Sequence, residues 1–215
     1  MNVSRRTIDI RANGISLPGE LLLPADRRAL VVFAHGSGSS RLSPRNLAVA
    51  ERLHRDGLAT LLFDLLTEPE SDDRRLVFDI GLLAGRLAAA VEQVSEDPDV
   101  GSLPVGLFGA STGAAAALVA SVSLPRVAAV VSRGGRPDLA GDALERVTSP
   151  TLLIVGGADH QVLELNREAQ ARMRSETRLE VVPGATHLFE ERGTLERVAE
   201  LAADWFVRHL ERAAR

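Results

Sequence analysis

Three residues of this sequence have the side chains and surroundings to move an acyl group: Ser111, Asp159 and His187. A serine hydroxyl is a weak nucleophile until a base takes its proton. An imidazole is such a base near neutral pH, and a carboxylate can hold its other N–H and stabilise the imidazolium that forms. Ser111 lies in Gly109-Ala110-Ser111-Thr112-Gly113, between an apolar run at 103–108 and an Ala-rich stretch from Ala114 to Ser123. Strand, Gly-x-Ser-x-Gly, helix is the setting of a nucleophile elbow, a sharp turn that lifts the serine Oγ clear of a sheet. Gly109 and Gly113 are required there because side chains would collide with the neighbouring strand and helix. The helix N-terminus beside the serine favours negative charge developing at that point.

These residues need a scaffold, and the pattern along the chain supplies one. Asn13-Gly14 between 7–11 and 15–23 reads as the turn of an N-terminal hairpin, with Pro18-Gly19 marking a bulge or bend. Apolar runs at 29–34, 59–64, 103–108, 127–132 and 151–155, and a shorter stretch at 179–182, read as strands; those at 29–34, 59–64 and 127–132, without polar alternation, read as buried in a parallel sheet covered on both faces. Helical periodicity fills the gaps at 45–56, 79–96, 114–123, 138–147, 161–174 and 194–212, with Asp138 as the cap of the fourth. The segment 65–75 is polar, contains Pro69 and reads as loop. Trp205 and Phe206 face the sheet. Strands alternating with helices at this spacing give one α/β domain over 1–215, doubly wound, mostly parallel, with an N-terminal antiparallel hairpin.

In such a sheet, chemistry gathers beyond the carboxyl ends of the strands. Taken in order, the strands are followed by His35-Gly36-Ser37-Gly38, by Asp64, by Ser111, by Arg133 and Arg136, by Asp159, and by His187. Nucleophile, acid and base therefore occur in the order Ser, Asp, His, each just past a strand. On these residues, and on Gly157-Ala158-Asp159 and Gly184-Ala185-Thr186-His187, the sequence resembles the α/β-hydrolase superfamily over essentially its whole length. It is most similar to small, lidless, dienelactone-hydrolase-like proteins. One departure is plain: dienelactone hydrolase itself uses a cysteine nucleophile, and this chain has no Cys. The resemblance implies an α/β-hydrolase fold without a cap domain, since only a loop and a short helix separate the strands at 127–132 and 151–155. It also places the oxyanion-hole donors at the backbone N–H groups of Ser37 and Thr112, with Gly36 and Gly38 letting that backbone approach a substrate.

Rivals exist for two of the roles. Asp138 also follows a strand and competes with Asp159 for the acid. His35 adjoins the oxyanion loop and is read as ordering it by hydrogen bonding; His160 adjoins Asp159; His54 and His209 fall in helices and are read as surface or rim residues. Arg41, Arg45, Arg133 and Arg136 fall at the catalytic edge. They are candidates for binding a substrate carboxylate or phosphate, or for pairing with Glu68, Glu70, Asp72, Asp73 or Asp138.

Composition bounds the function. A formal charge of −4 argues against nucleic acid or an anionic membrane as the main partner. All 25 basic residues are Arg, and the absence of Cys removes disulfides and thiolate metal sites. The start has two arginines but no apolar core behind them, so no secretory signal is expected and the cytoplasm is the default location. The expectation is a serine hydrolase that needs no metal or cofactor, acts on a small ester, thioester or lactone, and leaves oligomeric state open. Two alternatives are an amidase or peptidase on the same triad, and a non-catalytic binding module.

Overall fold

Asn13 and Gly14 both take positive φ, 51° and 80°, as the tight turn of a two-residue hairpin demands. They join β1 (Val3–Ala12) to β2 (Ile15–Pro24) in the computed structural model, which describes residues 2–213. Pairing runs without a slip from Val3 opposite Pro24 to Ala12 opposite Ile15. Pro18-Gly19 therefore makes no bulge against β1. A Cβ on Gly19 would lie 3.0 Å from the Cβ of Phe63, so the glycine makes room for the next strand instead.

The other strands are β3 (Ala29–Ala34), β4 (Leu58–Phe63), β5 (Val105–Ala110), β6 (Val127–Arg133), β7 (Thr151–Gly156) and β8 (Thr177–Val182). They form one eight-stranded sheet in the order β1-β2-β4-β3-β5-β6-β7-β8. β2 runs antiparallel to β4, and all pairings from β4 to β8 are parallel. The longer helices are α1 (Pro44–His54), α4 (Ile80–Ser95), α5 (Thr112–Ser123), α6 (His160–Arg172) and α7 (Thr194–Ala213), with one-turn helices α2 (Glu68–Ser71) and α3 (Arg74–Val77) between β4 and α4.

Period-two alternation splits the central strands between two cores. Leu30 and Val32 of β3 face Leu83, Leu87 and Val91 of α4 and the alanines of α5. Val31 and Phe33 face Val49 and Leu53 of α1 and Trp205 and Phe206 of α7. Each large apolar side chain removed from water on either face stabilises the fold by roughly 1.5–3 kcal/mol. Both faces are covered, which is why these strands lack polar alternation.

Three expectations are corrected. The segment 65–75 is not plain loop: a capping box between Thr67 and Glu70 starts α2, and the Asp73 side chain accepts from the Arg75 N–H at the start of α3. The helix expected at 138–147 is a pair of 3₁₀ turns over Pro137–Arg146, broken at Gly141 with φ 55°. Asp138 does not cap it; Arg136 is the N-cap residue and its guanidinium holds the Asp138 carboxylate. His54 and His209 are buried rather than exposed. The His54 ring reaches Thr60 Oγ1 at 2.9 Å, and the His209 ring packs tilted against Trp205 with centroids 4.3 Å apart. Only the 3₁₀ turns and their loops separate β6 from β7, so no cap domain is inserted there among the described residues. No helix among the described residues is long and apolar enough to cross a membrane.

Candidate active site

β3 and β5 are neighbours, yet the chain leaves β3 toward β4 on one side and β5 toward β6 on the other. That divergence opens a crevice at their carboxyl ends, where His35-Gly36-Ser37 and the Ser111 turn both lie.

Ser111 has φ 51° and ψ −119°, a conformation L-residues avoid and one that costs about 1–3 kcal/mol. Its surroundings hold it there. Its N–H donates to Arg133 O at 3.3 Å, and its carbonyl accepts from Arg136 N–H and Ala114 N–H at 3.1 Å each. The flanking glycines are needed for the reason the spacing gave. A Cβ on Gly109 would lie 2.4 Å from Ala114 Cα of α5, and one on Gly113 2.2 Å from Ala34 O of β3.

Asp159 is the N-cap residue of α6, but its side chain makes no capping bond. Its Oδ2 instead accepts from His187 Nδ1 at 2.7 Å. The two loops are sewn together by backbone bonds: Gly157 N–H donates to Val182 O at 2.8 Å and Ala158 N–H to Ala185 O at 2.9 Å. Beyond His187, buried Phe189 sits at φ 55° and fixes the end of the loop. Asp159 bound at Nδ1 leaves Nε2 of His187 as the free ring nitrogen. His187 and Ser111 line one cleft of about 190 Å³ with Ser37, Arg45 and Arg133. No hydrogen bond joins Ser111 Oγ to the His187 ring in this structure.

The loop His35-Gly36-Ser37-Gly38, expected to supply one oxyanion donor, is braced from below. Leu65 N–H donates to His35 Nε2 at 2.9 Å, so Nδ1 carries the proton and donates to Gly36 O at 3.0 Å. Both ring nitrogens are thus occupied, and burial holds the imidazole below the usual histidine range. Asp64 accepts from the Arg41 backbone N–H at 2.7 Å and pairs with the Arg41 guanidinium, tying the same loop to the end of β4. A Cβ on Gly36 would lie 2.9 Å from Ser111 Cβ, so only glycine lets the loop pass over the elbow. Gly38 is exposed, at φ 66°, and borders a second cavity on the other side of the loop. The Thr112 N–H, first in α5, makes no hydrogen bond among the described residues. The Ser37 N–H does: it donates to Thr112 Oγ1 at 3.0 Å. One of the two expected oxyanion donors is therefore engaged by a side chain, a feature no spacing could have revealed.

The structure also sorts the candidate acids and arginines. Asp138 accepts from Arg136 with both oxygens, at 2.9 and 2.7 Å, whereas the His187 ring is bonded to Asp159. Arg136 and Arg41 are spent on carboxylates. Arg133 is not: 6% exposed, it donates to Asn46 Oδ1 at 3.2 Å and has no carboxylate partner. Burial, and then the neighbouring Arg45, pull its pKa down to about 10. His160 is exposed at the first turn of α6. Asn46 was invisible in the sequence, since an Asn in a helix carries no motif.

Residues 19–212 match the dienelactone hydrolase family. The chain belongs to that family. A dienelactone hydrolase of Anabaena variabilis superposes with a TM-score of 0.94 at 51% identity, over 97% of this chain and 99% of that one. Est1E of Butyrivibrio proteoclasticus shares the fold, with a TM-score of 0.81 at 18% identity over 95% of this chain and 99% of its own. Two Mycobacterium tuberculosis proteins, each named "Putative phosphoribosyl transferase", are 60% identical over 205 residues, 94% of this chain. This chain spans only 46% of the length of those curated relatives.

Proposed function

We propose that this dienelactone hydrolase family member is a serine hydrolase that cleaves a small ester, thioester or lactone through an acyl-enzyme. The 2.7 Å bond that Asp159 makes to Nδ1 of His187, whose ring lines the cleft that also holds the strained Ser111, carries this reading. His187 Nε2 takes the Ser111 proton as Oγ attacks the acyl carbon, and Asp159 stabilises the resulting imidazolium. The imidazolium then protonates the leaving group, and water, deprotonated by the same nitrogen, releases the acid. The Ser111–His187 hydrogen bond closes when substrate fills the cleft, a tightening common to hydrolytic sites. The Thr112 N–H receives the oxyanion, and the Ser37 N–H joins it once the Thr112 hydroxyl turns aside.

Phosphoribosyl transfer is not proposed for this chain. More than half the length of the relatives so named lies outside what it spans, and the presence of Ser111 and His187 in one cleft supports acyl transfer instead. The test is covalent labelling by a fluorophosphonate probe, with turnover on a panel of short acyl esters, thioesters and amides. Labelling in the wild type and none in Ser111→Ala is expected, with esters or thioesters turned over faster than amides. Labelling that persists in Ser111→Ala would sink the assignment.

A further inference from the structure

The cleft beside Ser111 carries positive charge that the protein does not neutralise. Arg41 and Arg136 are paired with Asp64 and Asp138, but the two arginines that line the cleft are not comparably matched. Arg133 is nine-tenths buried with no carboxylate, and its Nε is a buried donor without an acceptor. Arg45 has only Glu190 at 3.8 Å, beyond hydrogen-bond distance, and its own Nε is likewise unpartnered. No Asp or Glu lines this cleft. A buried guanidinium with one neutral amide acceptor is costly, and a second guanidinium beside it raises the cost. As a strut between β6 and α1 through Asn46, a neutral side chain would serve better. An anion arriving with the substrate removes the penalty.

The nature of the anion follows from the donors. Two guanidiniums from different elements, β6 and α1, present two forks, and the hydroxyls of Ser37 and Ser39 border the same space. One carboxylate satisfies one fork bidentately; a phosphate has oxygens for both forks and a hydroxyl besides. The cavity on the opposite side of the oxyanion loop, about 220 Å³, includes Leu65, Leu66, Val77 and Leu83 with Asp64 and Glu68, and would repel an anion. We propose that the substrate of this enzyme carries a phosphate group, held between Arg133 and Arg45, with its uncharged portion directed across the oxyanion loop. The proposal rests on the serine-hydrolase reading for what is cleaved, but not for what is bound.

Binding is measured first, on Ser111→Ala, by calorimetric titration of inorganic phosphate against acetate at matched ionic strength. Saturable phosphate binding is expected, weakened about tenfold or more by adding Arg133→Gln or Arg45→Gln. Turnover is measured on naphthyl esters of phosphonobutanoate, glutarate and pentanoate. The phosphonate ester should be preferred over pentanoate by about 10–100-fold in kcat/KM, as charge-assisted hydrogen bonds imply, and the preference should collapse in Arg133→Gln. If Arg133→Gln does not fold, Arg45→Gln and the wild-type preferences decide. No saturable phosphate binding, binding unchanged by the arginine substitutions, or glutarate preferred to phosphonate overturns the proposal. If no ester is turned over and Ser111 is not labelled, the hydrolase reading fails, while the phosphate titration still decides the subsite.

Discussion

Replacing Asp159 by Asn tests which carboxylate serves His187. Only Oδ2 of Asp159 makes a hydrogen bond, to His187 Nδ1 at 2.7 Å; Oδ1 makes none among the described residues. An Asn can therefore turn its carbonyl toward the ring and keep the tautomer, and what is lost is the charge facing the imidazolium. With charge centres about 4 Å apart and an effective dielectric of about 20, that attraction is about 4 kcal/mol, or about 10³-fold in rate. Asp159 is 14% exposed but His187 is 39% exposed, so solvent screening lowers the expected loss toward 10²-fold. If the amide instead presents its NH₂, the wrong tautomer raises the loss to about 10⁴-fold. The assay is kcat/KM on a short naphthyl ester, with fluorophosphonate labelling rates as a second readout. Asp138→Asn is the control: it disturbs a half-exposed pair with Arg136, costs about 1 kcal/mol of stability or less, and should leave kcat/KM within about threefold. Asp159→Asn retaining more than a tenth of wild-type kcat/KM, or Asp138→Asn losing as much, would refute the pairing as the catalytic one.

Other outcomes follow from the same geometry. Ser111→Ala should lower turnover by about 10⁴–10⁶-fold; Ser111→Gly, equally inactive, should be about 1 kcal/mol more stable than Ser111→Ala because glycine relieves the φ of 51°, and equal melting temperatures would argue against strain. Thr112→Val removes the hydroxyl that holds the Ser37 N–H and should raise kcat/KM several-fold, while Thr112→Ser stays near wild type; a drop in Thr112→Val at unchanged melting temperature would show that the hydroxyl positions the loop instead. His54 is held neutral by burial, its pKa lowered to about 4, so the unfolded chain takes up its proton at about 6.5 before the folded one does. Stability should therefore fall as pH drops from about 6.5 toward 4, by at most about 1.4 kcal/mol per pH unit from this residue, and urea melts of His54→Gln should show a shallower slope. Glu70, whose pKa is drawn down to about 2 chiefly by its hydrogen bond to Arg86, contributes stability above about 4.5 that is lost as pH falls toward 2; Glu70→Gln melts that still steepen over this lower window would exclude it.

Much of the scaffold was written in the sequence because it depends on local rules. Asn13-Gly14 dictated a hairpin because few other pairs accept two positive φ values in succession. The unbroken apolar runs dictated strands buried on both faces, and the Gly spacing around Ser111 dictated the elbow because those two positions leave no room for a Cβ. The order Ser111, Asp159, His187, each just past a strand, was legible because a parallel sheet delivers every strand end to one edge. Tertiary structure decided what depends on distances between remote segments. Asp159 is 28 residues from His187 in the chain, and only the fold shows that it meets the ring while Asp138 pairs with Arg136. Helical position alone made His54 and His209 look peripheral, yet β4 and Trp205 cover them. Four arginines at one sheet edge were equivalent in sequence; packing gave Arg41 and Arg136 to carboxylates and left Arg133 buried in the Ser111 cleft, since a charge's partner is set by what the fold brings within a few ångströms.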